Sequence, residues 1–282
     1  MEIIRVPRIV RETAYAHRIK GRSVGLVPTM GALHEGHLSL VRRAKQDNDV
    51  VVASIFVNPT QFGPNEDFSA YPRDQEGDLH KLESAGTDIV FLPDVQALYP
   101  KDFLTSVSVA GLSDKLCGAF RHGHFTGVAT IVNKLFNIVR PIRSYFGQKD
   151  YQQTVIIRSM VRDLNVDVDV IVCPTVRETD GLAMSSRNAY MNPEQRRASV
   201  VLFRTLTAAS SVIRNNGGTT AAVNEALHVQ LNSEPLLSEV QYAGVYDPET
   251  LDALTELQKD NLLAIAVKIG TTRLIDNMLV QR

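Results

Sequence analysis

Val27-Pro28-Thr29-Met30-Gly31-Ala32-Leu33-His34-Glu35-Gly36-His37 is the stretch on which the fold turns. The apolar run Val24 to Val27 leads into it and reads as a buried strand. Behind it, Leu38, Leu40, Val41 and Ala44 recur at helical spacing, with Arg42, Arg43 and Lys45 on the opposite face. The pattern predicts a strand, a tight glycine-bearing turn and a helix beginning near His34. Two histidines three residues apart then share one face of the first helical turn. The unsatisfied amides and the dipole of such a turn attract anions. Gly31 and Gly36 would let the backbone approach a bulky ligand. Two ring donors and a row of amides suit phosphate oxygens.

Moving outward, strands alternate with helices. Pro7 to Lys20 reads as a helix closed by Gly21, Val50 to Val57 as a second strand, Asp74 to Ser84 as a helix and Ile89 to Leu92 as a third strand. Ser106 to Val109 alternates and is expected to be a short peripheral strand. Thr126 to Val139 is an amphipathic helix, Ser144 to Gly147 a strand, Asp150 to Leu164 a helix and Asp167 to Cys173 a strand. This order predicts an α/β, Rossmann-like, doubly wound parallel sheet. Ligands of such sheets sit beyond the carboxyl ends of the strands. Those ends carry Pro28-Thr29-Met30, Asn58-Pro59-Thr60-Gln61 and Gly147-Gln148-Lys149-Asp150.

The character changes after Pro174. Arg177 to Asn192 is polar, Pro193 to Asn215 reads as one long helix closed by Gly217-Gly218, and Thr219 to Asn232 as another. Strands are expected at Glu239 to Val245, Leu262 to Ile269 and Arg273 to Met278. The expectation is a domain over 1–175 and a smaller α+β domain over 176–282.

At 282 residues the chain can bury a large core, and its 44% hydrophobic and 22% charged content is that of a globular protein. A net charge of −1 gives no general pull toward nucleic acid or a membrane surface. Cys117 and Cys173 lie far apart without metal-type spacing, which fits reduced thiols and a cytoplasmic setting. No run reaches membrane-spanning length, and the charged N-terminus does not read as a signal peptide.

Several clusters have chemical as well as plain readings. His34-Glu35-Gly36-His37 could hold phosphate, form a metal site with His122 and His124, or simply start a helix. The metal-hydrolase alternative lacks the i, i+4 histidine spacing of zincins. Gly31 to Leu38 nearly spells a Walker A loop, but His37 stands at its lysine position. Lys149, just before a helix, can reach a triphosphate as a mobile charge, with Gln153 one turn later, or the stretch is an exposed helix start capped by Asp150. Met184-Ser185-Ser186-Arg187-Asn188 is either a serine-rich turn or a triphosphate clamp. Asn58 to Gly63 reads by itself as a plain turn, or as amides that would orient a small substrate. Arg121-His122-Gly123-His124-Phe125 could line an anion path or cap the following helix.

Together these motifs resemble the pantothenate synthetases, or pantoate–β-alanine ligases. The His34-x-Gly-His37 pair is similar to the signature of the wider nucleotidyltransferase group that includes class I aminoacyl-tRNA synthetases. Met184 to Arg187 resembles that group's KMSKS signature, with Arg187 supplying the cationic charge. The resemblance is carried further by Phe56-Val-Asn-Pro-Thr-Gln-Phe-Gly63, Tyr71-Pro-Arg73, Gly123-His-Phe-Thr-Gly-Val128 and Phe146-Gly-Gln-Lys-Asp-Tyr-Gln-Gln153. Family members often have Glu where Gln148 stands and Pro where His122 stands.

The resemblance implies a ligase that joins (R)-pantoate to β-alanine with ATP and Mg²⁺, yielding pantothenate, AMP and pyrophosphate through a pantoyl adenylate. It also implies a homodimer and a lid-like second domain. It assigns ATP binding to Met30, Gly31, Ala32, Leu33, His34, Glu35, Gly36, His37, Gly147, Gln148, Lys149, Asp150, Val176, Met184, Ser185, Ser186 and Arg187. Catalysis falls to His37, His34, Lys149 and Arg187. Gln61 meets pantoate and β-alanine, and Gln153 meets pantoate.

Overall fold

A computed structural model describes all residues except Asn65, Asn216 and Gly217. The chain divides into two compact units. The first comprises Met1–Asp114, Arg121–Gln148 and Gln153–Pro174; the second comprises Lys115–Phe120, Lys149–Gln152 and Thr175–Arg282.

Six parallel strands form the sheet of the first unit. They are β1 (Glu2–Ile4), β2 (Val24–Thr29), β3 (Val50–Ile55), β4 (Ile89–Phe91), β5 (Arg143–Gly147) and β6 (Asp169–Cys173). Their spatial order is β1-β4-β3-β2-β5-β6. Helices α1 (Pro7–Arg18), α2 (Glu35–Asp47), α3 (Gln75–Ser84) and the one-turn α4 (Val95–Leu98) precede the one-turn α5 (Cys117–Phe120) of the second unit. Helices α6 (His124–Val139) and α7 (Tyr151–Asp163) follow. Every residue of β3 is buried, as expected of a strand covered on both faces. Val27, Val41, Val51, Leu82 and Val90 pack into one core. The strand order reverses between β2 and β5, the switch point at which doubly wound sheets open a crevice for ligands. The β2–α2 turn leaves the sheet at that point.

The second unit closes its core differently. Helices α8 (Pro193–Ala198), α9 (Val201–Arg214) and α10 (Thr220–Asn232) lie in the same chain segment as an antiparallel sheet of β7 (Leu237–Tyr246), β8 (Asp260–Ile269) and β9 (Thr272–Gln281). Leu202, Leu206, Leu227, Leu263, Ile265 and Val267 share one buried cluster.

Some expectations need correction. The N-terminal β1 pairs with β4 at the sheet edge; three residues are too few to show a period. Ser106 to Val109 is not a strand: the Val107 amide donates to Thr130 Oγ1 on α6, so no ladder forms there. The expected helix from Pro193 to Asn215 is two helices. Ser199 Oγ donates to the Arg196 carbonyl, and Val200 N bonds Arg197 O at the tighter three-residue spacing, a local competition that interrupts a helical ladder. Gly217, expected to close it, lies outside the described residues, while Gly218 N donates to Asn215 O. The second unit also takes in two segments placed N-terminal of residue 176. The Gln152 side chain accepts from Cys117 N at 3.0 Å and donates to Lys115 O at 2.6 Å, and Asn277 Nδ2 donates to Lys149 O at 2.8 Å.

Candidate active site

The β2–α2 turn begins with two left-handed residues, Gly31 at φ 84° and Ala32 at φ 51°. Glycine is required at the first of these, because a Cβ there would also stand 2.9 Å from Asp78 Oδ2. Asp78, buried on α3, holds the turn: its carboxylate accepts from the amides of Ala32 and Leu33, each at 2.7 Å. Burial pushes the Asp78 carboxyl above its usual range, and those two amides pull it back without cancelling the shift. Lys81 on the same helix donates to the Leu33 carbonyl at 2.9 Å.

Helix α2 starts on a pair of imidazoles. His34 is the N-cap; its Nδ1 accepts from Gly36 N at 3.2 Å, while His37 Nδ1 accepts from His34 N at 3.4 Å. This is a capping box with histidines in place of serine and glutamate. With Nδ1 accepting in both rings, each neutral imidazole carries its proton on Nε2. Glu35 pairs with Arg42 on the exposed face of the helix, which leaves the imidazoles to serve the turn.

The turn's amides are engaged more fully than the sequence suggests. Those of Gly31, Ala32, Leu33, His34, Gly36 and His37 meet Thr29 Oγ1, Asp78, Asp78, His37, His34 Nδ1 and His34 O respectively. The amides expected to be free for an anion are therefore largely committed within the turn and to Asp78. Asp78 is the residue that the sequence reading missed; in Asp74-Gln-Glu-Gly-Asp78 it looks like one more charge on a solvated helix face.

Gln61 ends a single 3₁₀ turn, Pro59–Gln61, beyond β3. Asn58 Nδ2 donates to the Gly127 carbonyl at 3.1 Å, which fixes the orientation of the Asn58 amide, and the same nitrogen donates to Gln61 Oε1 at 3.1 Å. Gln61 Oε1 is thereby committed, and Nε2 points to Met30 Sδ at 2.9 Å. Gln61 thus presents a donor beside the β2–α2 turn. Helix α6 backs this turn closely: a Cβ on Gly127 would stand 2.5 Å from the Thr60 carbonyl oxygen. Arg121 and His124, with their two sequence readings, do something else. They form an ion-paired group with Glu66 against the Gln61 carbonyl. Gly147 ends β5 and Gln148 follows it, and Gln153 is half-buried on α7.

In the second unit, Val176 and Met184 lie on one hairpin-like loop. Met184 N donates to Val176 O at 3.0 Å, and Arg177 bridges to Ala183. Ser185 Oγ caps the short Ser186–Tyr190 helix by accepting from Arg187 N. Arg177 pins this loop to β9 through a bidentate pair with buried Asp276, at 2.6 and 2.9 Å. The next residue, Asn277, holds the Lys149 carbonyl. Adjacent residues of one strand therefore anchor both Lys149 and the 176–187 loop. Lys149 Nζ stands 3.7 Å from exposed Asp150.

Among the described residues no three His, Cys, Asp or Glu side chains group as a metal site. The hydrolase reading of His34, His37, His122 and His124 has no ligand set on which to stand. No helix among the described residues is long and apolar enough to cross a membrane.

The family model for pantoate-beta-alanine ligase matches residues 2–279. The pantothenate synthetase of Thermodesulfovibrio yellowstonii is 60% identical over 281 residues, covering all of both chains. That of Moorella thermoacetica is 52% identical, covering 100% of this chain and 99% of its own. The crystal structure of pantothenate synthetase from Thermus thermophilus superposes with a TM-score of 0.93 at 45% identity, covering 99% of each chain. The pantoate-beta-alanine ligase of Francisella tularensis, complexed with beta-gamma ATP and beta-alanine, superposes at 0.80 with 34% identity, covering 99% of this chain and 97% of its own. The chain belongs to the pantoate–β-alanine ligase family.

Proposed function

We propose that this ligase joins (R)-pantoate to β-alanine in two steps, with a pantoyl adenylate between them. A carboxylate and an amine do not condense unaided in water, because the departing oxygen is a poor leaving group. Transfer of AMP to the pantoate carboxylate, with release of pyrophosphate, replaces it with a good one. The β-alanine amine then attacks the acyl carbon and AMP departs.

The first step brings two anions together, so the site must offset charge. The observation that carries the reading is the capping pair: both Nδ1 atoms are committed to the backbone, so His34 and His37 offer Nε2–H donors from fixed positions. We assign these donors to the phosphates, with His37 donating as charge builds on the departing pyrophosphate. Met30 to His37, Gly147, Gln148, Lys149, Asp150, Val176 and Met184 to Arg187 make up the ATP-binding set, in which Lys149 and Arg187 meet the triphosphate. Ser185 and Ser186 belong to the segment that shields the adenylate from water. Gln61, with Nε2 turned to Met30 beside the β2–α2 turn, and Gln153 orient pantoate; as neutral groups they do so without trapping its carboxylate in the ground state. Gln61 also faces β-alanine.

Mg²⁺ enters as part of the MgATP substrate. Phosphates and water chiefly hold this ion, which dehydrates reluctantly. We further place the enzyme in the cytoplasm as a homodimer, on the family resemblance.

The test follows the intermediate. ATP and pantoate without β-alanine should release pyrophosphate in a burst near one per site and exchange labelled pyrophosphate into ATP. Adding β-alanine should yield AMP and pantothenate in equal amounts. Exchange that strictly requires β-alanine would exclude the two-step order.

A further inference from the structure

A third histidine, His124, is wired with the opposite polarity to His34 and His37. Its Nδ1 lies 2.8 Å from the Gln61 carbonyl oxygen, which can only accept. Its Nε2 lies 2.9 Å from Arg121 Nη1, which can only donate. The ring is therefore neutral, with its proton on Nδ1. Arg121 is held in turn by Glu66, whose two carboxylate oxygens accept from Nε at 2.7 Å and Nη2 at 2.6 Å. From carboxylate to guanidinium to imidazole to carbonyl, each link has one allowed direction.

The chain of bonds ends on a weakly self-supporting element. A lone 3₁₀ turn has poor internal hydrogen bonding, and here Gln61 N reaches Asn58 O at 3.4 Å. Its position is set from outside, by the close approach of Gly127 and by His124, with Arg121 Nη2 a longer second donor to the Gln61 carbonyl at 3.5 Å. We propose that His124, locked by Arg121 and Glu66, is a positioning residue that fixes the Gln61 backbone so that its amide donor meets pantoate and β-alanine. This rests on the reading of Gln61 as a substrate-orienting residue. The ATP turn has separate braces in Asp78 and the His34–His37 cap, so loss of His124 should separate the substrates kinetically.

The test is a set of KM measurements for ATP, pantoate and β-alanine, with Gln61→Ala as the reference. His124→Leu should raise the pantoate KM roughly tenfold, the loss of about one well-made hydrogen bond, and leave the ATP KM within about twofold. His124→Asn, whose side-chain amide nitrogen can stand where Nδ1 stands, should return the pantoate KM to within about threefold of wild type. A general structural role predicts no such rescue. Equal rises for ATP and pantoate in His124→Leu, or no rescue by His124→Asn, would overturn the proposal. If Gln61→Ala is impaired and His124→Leu is not, the positioning role alone fails; if Gln61→Ala binds pantoate normally, the reading of Gln61 fails and takes this inference with it. Should His124→Leu not fold, Glu66→Gln carries the test. It must raise the pantoate KM at least about twofold to threefold, as a loosened charged anchor should, and spare ATP; an unchanged pantoate KM would overturn the proposal.

Discussion

His34 and His37 face each other with ring centroids 4.1 Å apart and planes tilted by 43°, and together they cap α2. Each ring therefore has two jobs, one on the backbone through Nδ1 and one outward through Nε2. Substitutions can separate them. His34→Ala should lose the cap, costing about 1 kcal/mol of stability, as well as the donor. His34→Asn should restore the cap and the melting temperature but not the rate, which should stay about 10²-fold down, as for loss of a charge-stabilising donor. His37→Ala should fall at least as far in kcat while remaining folded. Thermal melts beside initial rates check this, and near-normal turnover in a folded His37→Ala enzyme would remove the proposed donor role.

Asp78 places Ala32 in a left-handed conformation that L residues resist. Asp78→Ala should release the turn, leaving two amides without acceptors. We expect the ATP KM to rise by roughly tenfold or more and the pantoate KM to change far less, because Gln61 is braced from α6. The linkage runs opposite to that of a paired surface carboxylate. Its folded pKa lies above the ordinary 3.8, so the native state holds this proton more tightly than the unfolded chain does. The contribution of this group to stability should therefore fall as pH rises from 3.8 through the folded value. Denaturation at stepped pH, with Asp78→Asn for comparison, should show that the variant lacks this component.

Glu66 titrates the other way. Burial pushes its carboxyl up, but the hydrogen bonds and charge of Arg121 outweigh burial and leave it below the ordinary 4.5. Stability from the pair is thus present above pH 4.5 and lost as pH falls through the depressed folded value. Glu66→Gln should be less stable by about 1–3 kcal/mol at pH 7, the range for a charge-assisted bond in a half-buried setting. The difference from wild type should shrink as melts are repeated below pH 4.5. A difference independent of pH would mean that the carboxylate is not what Arg121 holds.

Much of this was legible in the sequence. The strand–turn–helix at 24–47 is marked by an apolar run, two glycines and a helical period, and those local signals suffice for the sheet, the helix start and the histidine pair. The braces were not legible. Asp78 meets Ala32 and Leu33 across 46 and 45 residues, and His124 meets Gln61 across 63. Such bonds depend on where α3 and α6 pack, which no local pattern encodes. For the same reason Lys149–Gln152 reads as part of the first domain but groups with the second unit, through Gln152 and the distant Asn277.

Gln61 and Gln153 offer the sharpest test of how the substrates are divided. Gln61 Oε1 is occupied by Asn58, so Gln61→Glu would place a second acceptor where a donor is needed. Its repulsion of the pantoate carboxylate should make it worse than Gln61→Ala. Gln153→Ala should weaken pantoate binding by about 1–3 kcal/mol and leave ATP nearly unaffected. Calorimetric titration with ATP and then pantoate separates the two. ATP affinity lost in parallel with pantoate affinity would place Gln153 in the nucleotide half of the site.

Arg177 and Asp276 make the last prediction, because their pair ties the 176–187 loop to β9. Asp276 is nearly fully buried, and burial raises its pKa against the opposing pull of Arg177. Arg177 also lies over the Phe203 ring, 4.7 Å from its centroid. Removing the guanidinium alone leaves a buried carboxylate uncompensated, which typically costs about 3–5 kcal/mol. Replacing both partners with apolar residues of similar size leaves no orphan charge. Arg177→Met should therefore be strongly destabilised, while Arg177→Met with Asp276→Leu should recover much of the loss. The two purposes of the pair then come apart. If it serves the loop, the double variant should regain stability yet keep a raised ATP KM, since Met184 to Arg187 lose their anchor at Arg177. Full recovery of both stability and ATP KM would mean that the hydrogen bond between Met184 and Val176 is enough to hold the loop.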